Sequence, residues 1–230
     1  MDALTEVERL EHRTLGERAY NQLADLLTSG RVSPGDKLTL RAVADAFGVS
    51  IQPIREAVSR LVSDGALEAT ANRAVRVPTM TLAQFRDLTK VRLMVEGQAA
   101  AEAALTRTEA DLEAMRVAEA GFREQGEQAQ PDVGQAVRFN KEFHFAVYGA
   151  AHSPLLVNII RGLWLKAGPI INLDSRENPN RIATGGLKRH IVILEAIERG
   201  DAEAARAALA ADINVTADVI LARSTFARPE

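Results

Sequence analysis

Apolar residues recur with a helical period from Leu15 onward, where Leu15, Ala19, Leu23, Leu26 and Leu27 share one face. Thr14-Leu15-Gly16-Glu17 has the Thr-x-x-Glu form in which cap and third residue satisfy each other's backbone donors. Together they predict a first helix from Thr14 to about Ser29, closed by Gly30. Val32-Ser33-Pro34-Gly35-Asp36 reads as a tight turn before Lys37-Leu38. Thr39 then caps a short second helix with Val43, Ala44 and Phe47 inward; Gly48 stops it, and Ser50 caps a third. This is helix-turn-helix spacing.

The third helix has the clearest pattern, with Ile54, Ala57, Val58, Leu61 and Val62 on one face, Gly65 as its stop, and Gln52, Arg55, Glu56, Ser59 and Arg60 opposite. Leu67 to Thr70 and Ala74 to Val77 alternate partially around Ala71-Asn72-Arg73, which reads as a small hairpin, a wing, before Pro78. Beyond it lie helical patterns at Leu82 to Leu105, Glu109 to Gln125, Val133 to Ala150, Leu155 to Leu173, Arg181 to Arg199 and Ala202 to Ala222. The expected fold is mainly α: a winged helix-turn-helix of three helices plus a hairpin at 14–78, then an all-helical bundle of six at 79–226.

Composition narrows the function. With 230 residues and 47% apolar positions the chain can build real cores. The net charge of -3 and pI near 5.9 announce no nucleic acid or anionic membrane. The absence of cysteine removes thiolate metal sites and Cys nucleophiles. The acidic start, Met1 to Glu6, is unlike a secretory signal, and His152, Ser153-Pro154, Arg161 and Lys166 interrupt the apolar stretches below membrane-spanning length. A cytoplasmic protein without membrane contact is expected.

A helix that enters the major groove needs short polar residues at its N-terminal turn and a long donor projecting outward. Ser50, Gln52 and Arg55 supply them, while the plain alternative is a solvated face with Arg55 paired to Ser59 or Glu56. Before Thr79 there are ten basic residues against eleven acids, so distribution rather than total must favour a duplex. Arg41, Arg55, Arg73 and Arg76 fall on the helix-and-wing surface, whereas Asp2, Glu6, Glu8 and Glu11 precede the fold.

In the bundle, Asn140 and His144 project from one helix a turn apart, a chelating spacing that ordinary hydrogen-bonding residues also adopt. Gly200-Asp201 is a helix stop followed by a cap, so its flanking helices form an antiparallel hairpin. His190 and Asp212 each lie roughly 15 to 17 Å from that turn at 1.5 Å per residue, and are therefore level. If both face inward against the Asn140 helix, an amide oxygen, two imidazoles and a carboxylate converge, a set suited to Zn²⁺ or Ni²⁺. His12 and His152 belong to no constellation, and Trp164, Leu163 and Ile160 have core spacing.

The words Val32-Ser33-Pro34-Gly35-Asp36-Lys37-Leu38, then Gly48-Val49-Ser50-Ile51-Gln52-Pro53-Ile54-Arg55-Glu56-Ala57-Val58, then Leu61 and Asp64-Gly65, closely resemble the winged-helix signature of the GntR family of bacterial transcription regulators. The bundle resembles the FCD ligand-sensing domain at Val91-Arg92-Leu93-Met94-Val95-Glu96, at Asn140-Lys141-Glu142-Phe143-His144, and from His190 through Ile193 to Asp201. The resemblance implies DNA-binding roles for Arg41, Ser50, Gln52, Arg55 and Arg73. It implies a metal set at Asn140, His144, His190 and Asp212, where the family has one Asp and three His. Other departures are Ile51 in place of an arginine and Ala74 in place of a wing glycine.

The expected function is a non-enzymatic, sequence-specific transcription regulator, a homodimer repressing at a palindromic operator. It responds to a small carboxylate metabolite held by Arg92, His144 and His190, with or without a divalent metal. Arg92 has a plainer role open to it, pairing with Glu96 one turn on. Readings of other classes are a metal-dependent hydrolase using His144, His190 and Asp212, which finds no positioned base beyond the averted Glu142, and an effector-independent architectural DNA binder.

Overall fold

The structure, a computed structural model, describes residues 15–70, 74–177, 187–223 and 226–227. Thr14, His12, Arg73 with the wing tip, and the stretch from 178 to 186, which includes the expected helix start at Arg181, lie outside the described residues.

The N-terminal unit is built from α1 (Leu15–Thr28), β1 (Lys37–Thr39), α2 (Leu40–Phe47), α3 (Ile51–Ser63), β2 (Glu68–Thr70) and β3 (Ala74–Arg76). Thr39 caps α2 by accepting from the Ala42 amide at 3.1 Å, and Gly48 closes it in the left-handed conformation, φ 65°, which costs glycine little. Ile54, Ala57 and Leu61 of α3 are fully buried against Leu23 and Leu27 of α1. Leu15, expected inward, is instead 55% exposed, although Gly16 beside it and Ala19 one turn on are buried. Phe47 is only partly buried.

The wing is a sheet of order β1-β3-β2, with Leu38 and Ala69 flanking Val75 in antiparallel register. The sequence pattern shows the hairpin but not β1. Three residues carry too little periodicity, and the pairing that makes them a strand comes from a distant segment, reinforced by Gly35 N to Val77 O and Val77 N to Asp36 O, both 2.9 Å.

The bundle comprises α4 (Leu82–Thr106), α5 (Glu109–Glu127), α6 (Val133–Gly149), α7 (Pro154–Glu177), α8 (Leu187–Glu198) and α9 (Ala202–Arg223). Reciprocal caps start α4 (Thr81 with Gln84) and α5 (Thr108 with Asp111), satisfying donors that the first helical turn leaves open. Ala99, Ala100, Ala103 and Ala104 of α4 are buried against α9, and Phe143, Tyr148, Ile160, Trp164, Ile193, Ile197 and Leu209 fill the core. Gly200 (φ 74°) and the Asp201 carboxylate, which accepts from Ala204 N at 3.0 Å, turn α8 into α9.

The expectation that no apolar stretch reaches membrane length is corrected by α7, in which Pro154–Leu173 qualifies by length and composition. The reason is double burial: Ile160 and Trp164 enter the bundle core while Leu165 enters the core of the winged unit. One helix is thus apolar on more than one side.

Candidate DNA interface and sensor cavity

The outward face of α3 carries Gln52, Arg55, Glu56 and Ser59, all exposed. Ser50 occupies the cap position with extended backbone, yet its side chain makes no cap bond, so its hydroxyl is not consumed there. Glu56 is engaged by Gln52 (Nε2 to Oε1, 3.1 Å) rather than by Arg55. Arg55, like Arg41 at the exposed start of α2, has no hydrogen-bond or ion-pair partner among the described residues. Arg60 is held otherwise, its guanidinium 4.2 Å from the centre of the Tyr20 ring. On the wing, Arg76 pairs with Glu68 at 2.7 Å.

The bundle holds a cavity of about 80 Å³ among α4, α5, α6, α7, α8 and α9, enough for several water molecules or a small organic ion. Its polar lining is Arg92, Asn140, His144, Asn172, Arg189 and Asp212, with Trp164 and Phe122 among the apolar walls. One ligand atom each from His144, His190 and Asp212 lies within 4.8 Å of the others, although the three residues come from three helices. Asn140 lines the same cavity.

The chemistry of these groups follows from burial. His190 is buried between Phe143, stacked at 4.2 Å between ring centres, and Phe122 at 4.7 Å. Burial first, and then the neighbouring His144, push its pKa down to about 3, so it is a neutral imidazole. Its Nδ1 is buried with no hydrogen-bond partner among the described residues. For Asp212, burial opposes ionisation, but the bond with His144 (Nε2 to Oδ2, 3.4 Å) and that from Arg189 (Nε to Oδ1, 2.7 Å) outweigh it and hold the carboxyl below the usual range.

Arg92 takes the plainer role open to it, donating to Glu96 at 2.6 and 3.1 Å. Burial works to lower its pKa and the adjacent Glu96 carboxylate more than compensates. Glu96 also accepts from Trp164 Nε1 at 3.3 Å and from the Tyr148 hydroxyl, which in turn lies 3.3 Å from His144 Nδ1. Arg92 therefore faces the cavity with its charge already matched.

Sequence reasoning missed Arg189, Asn172 and Trp164 as cavity residues. Arg189 adjoins His190, but its partner Asp212 is on another helix, and no periodicity reports that contact. Trp164 does have core spacing, and it lines the cavity as well.

Comparison with known proteins matches both units. The family model for bacterial regulatory proteins of the gntR family matches residues 15–77, and that of the FCD domain matches 87–214. This chain belongs to the GntR family of transcription regulators. The HTH-type transcriptional regulator McbR of Escherichia coli K12 is 30% identical over 203 residues, covering 88% of this chain and 90% of McbR. A solved structure of E. coli McbR/YncC superposes with a TM-score of 0.85, 27% identity, and 92% and 99% coverage of the two chains. A GntR regulator from Rhodococcus sp. RHA1, 23% identical, shares the fold with a TM-score of 0.74 over 91% of this chain and 99% of its own. The regulator is thus a DNA-binding protein with an effector domain rather than an enzyme, which removes the hydrolase reading.

Proposed function

We propose that this regulator is a cytoplasmic homodimeric repressor, with 14–78 as its DNA-binding domain and 79–226 as its sensing and dimerisation domain. Arg41, Ser50, Gln52, Arg55 and Arg73 contact a palindromic operator whose half-sites match the dimer's two-fold symmetry. The effector is a small organic carboxylate bound in the bundle cavity. A Zn²⁺ or Ni²⁺ ion there is held by His144, His190 and Asp212, with the Asn140 amide as a fourth donor.

The observation that carries the sensing half is the convergence of His144, His190 and Asp212, of which His144 and Asp212 line a cavity that also contains Arg92 and Arg189 while His190 stands behind that lining. The donor set fits a borderline cation: a neutral imidazole whose Nδ1 is buried without a partner, a second imidazole, and an ionised carboxylate. Such an ion supplies a Lewis-acid anchor for a carboxylate oxygen. The side-chain charges support an anionic effector, since Arg92 with Glu96 and Arg189 with Asp212 cancel in pairs, leaving a bound dication uncompensated. A metal-free variant of this reading is favoured by one contact, the Arg189 bond to Asp212, in which a guanidinium already occupies the carboxylate.

Selection of duplexes from a random pool by the purified protein tests the DNA half. An inverted repeat bound by wild type and lost to Arg55→Ala is expected; a single unrepeated site, or unchanged affinity of the variant at fixed salt, overturns it. Thermal stability against a panel of small carboxylates, with zinc and with EDTA, tests the sensor. A rise in midpoint lost with EDTA supports the metal-held effector, a rise that survives EDTA the direct one, and no rise overturns the carboxylate assignment.

A further inference from the structure

The last turn of α1 meets two cavity helices. Thr28, the final residue of α1, has a carbonyl that the helix itself leaves without a partner, and it accepts from the Asn172 side-chain amide of α7 at 3.0 Å in a buried contact. The same Asn172 lines the sensor cavity. On α6, Asn140 faces that cavity, while the next residue, Lys141, reaches Thr28 Oγ1 and the Asp25 carboxylate, both at 2.8 Å. A lysine cation at the C-terminal end of α1 also faces the negative end of its dipole.

The contact has no slack. A Cβ on Gly168 of α7 would lie 2.9 Å from the Leu27 carbonyl, and one on Gly30 would lie 3.1 Å from Asn172 Cβ. Packed surfaces of this kind transmit displacement rather than absorbing it. Beyond α1 the connection continues: α1 packs along α3, and Tyr20 of α1 bonds Asp64 at 2.9 Å while lying under Arg60. Pro169, inside α7 between Leu165 in the winged core and Asn172 at the cavity, brings no amide hydrogen, so the helix lacks one rung there.

We infer that Asn172, with Lys141 as a second anchor, is the positioning residue through which occupancy of the cavity reaches the DNA-binding helix. The inference rests on the sensing role proposed above and adds its route. A ligand that engages the Asn172 amide, or displaces α6 at Asn140, acts on the two bonds that hold the end of α1. It changes operator affinity only by as much as it prefers one placement of α1 over another.

The test uses full-length protein, the operator recovered by selection, and zinc sulfate as probe. Operator affinity is measured with and without zinc in wild type, Lys141→Gln and Asn172→Ala, and hydrogen exchange is followed at residues 24–30. Wild type is expected to show a zinc-dependent change of roughly five-fold or more in operator affinity. In each variant the ratio falls toward one, and the zinc-induced change in exchange at 24–30 disappears. Lys141→Gln keeps its zinc affinity, because Lys141 is outside the cavity, and it decides the matter should Asn172→Ala fold poorly. An unchanged ratio in Lys141→Gln and in folded Asn172→Ala overturns the inference and leaves the sensing reading standing. A wild-type ratio of one shows that the bound ion does not reach α1 and overturns the inference, whereas the carboxylate-sensing reading falls only with the stability panel.

Discussion

Arg189 Nε stands 2.7 Å from Asp212 Oδ1, so the carboxylate that would complete a cation site is already bonded to a cation of the protein's own. The contact joins α8 to α9 at the cavity wall, and the same carboxylate meets His144 Nε2 through its other oxygen at 3.4 Å. Guanidinium and metal ion therefore compete for one group.

Removing that competitor strengthens metal binding. Arg189→Met is expected to raise zinc affinity about tenfold, since hydrogen bonds to charged groups contribute roughly 1.5–3 kcal/mol and 1.4 kcal/mol is tenfold. Calorimetric titration of both proteins at one pH checks this. Equal or weaker binding by the variant shows that Arg189 does not compete.

His190 makes stability depend on pH. Its folded pKa of about 3 lies below the value near 6.5 of the unfolded chain, so the unfolded state takes up the proton first. The stability this neutral imidazole contributes is fully present above about pH 6.5. It is lost as pH falls toward 3, at a slope of roughly 1.4 kcal/mol per pH unit. Urea unfolding of metal-free protein at pH 7.5 and 5 should show the loss, and His190→Phe, which keeps an aromatic ring beside Phe122 and Phe143, should flatten it. An equal slope in the variant removes His190 as the cause.

Glu96 is a structural hub. It is fully buried and accepts from Arg92, Tyr148 and Trp164. Glu96→Ala strands the Arg92 charge inside the bundle and is expected to cost about 3–5 kcal/mol by denaturant titration. Glu96→Gln, which keeps an acceptor oxygen, should cost less. Equal losses in the two variants, of which only Glu96→Ala opens a cavity, indicate that loss of the carboxylate charge alone sets the cost.

On the DNA face, Arg41→Ala and Arg55→Ala should separate by function. A base-reading Arg55 loses about 1–3 kcal/mol and relaxes preference at one operator position, whereas a phosphate-binding Arg41 weakens all sequences alike and lowers the salt slope by about one. Competition against single-base operator variants at several salt concentrations distinguishes them. Uniform weakening by Arg55→Ala assigns it to phosphate instead.

Much of the architecture was legible. The period of Ile54, Ala57, Val58 and Leu61, and the Thr39, Ser50 and Asp201 positions at helix starts, are local signals that the fold preserves. Equal distances from the Gly200 turn place His190 and Asp212 side by side, because a hairpin of two regular helices converts sequence separation into height. Strand β1 was not legible, since its pairing partner β3 lies across α2, α3 and β2 in the chain. Nor was the exposure of Leu15, which has the same period as its buried neighbours Ala19 and Leu23.

By itself the sequence determined the two-part plan, the outward polar face of α3 and the level placement of His190 and Asp212 on either side of the Gly200 turn. These follow from periodicity, capping and rise per residue, all of which are local. Only the tertiary structure decided that Arg189 binds Asp212, that Glu96 neutralises Arg92, and that Asn172 joins the cavity to the Thr28 carbonyl at the end of α1. One of these contacts joins α1 to α7 across 144 residues of chain, one crosses the α8–α9 hairpin, and the third is selected over solvent by burial. Such choices are made by packing, which no local pattern encodes.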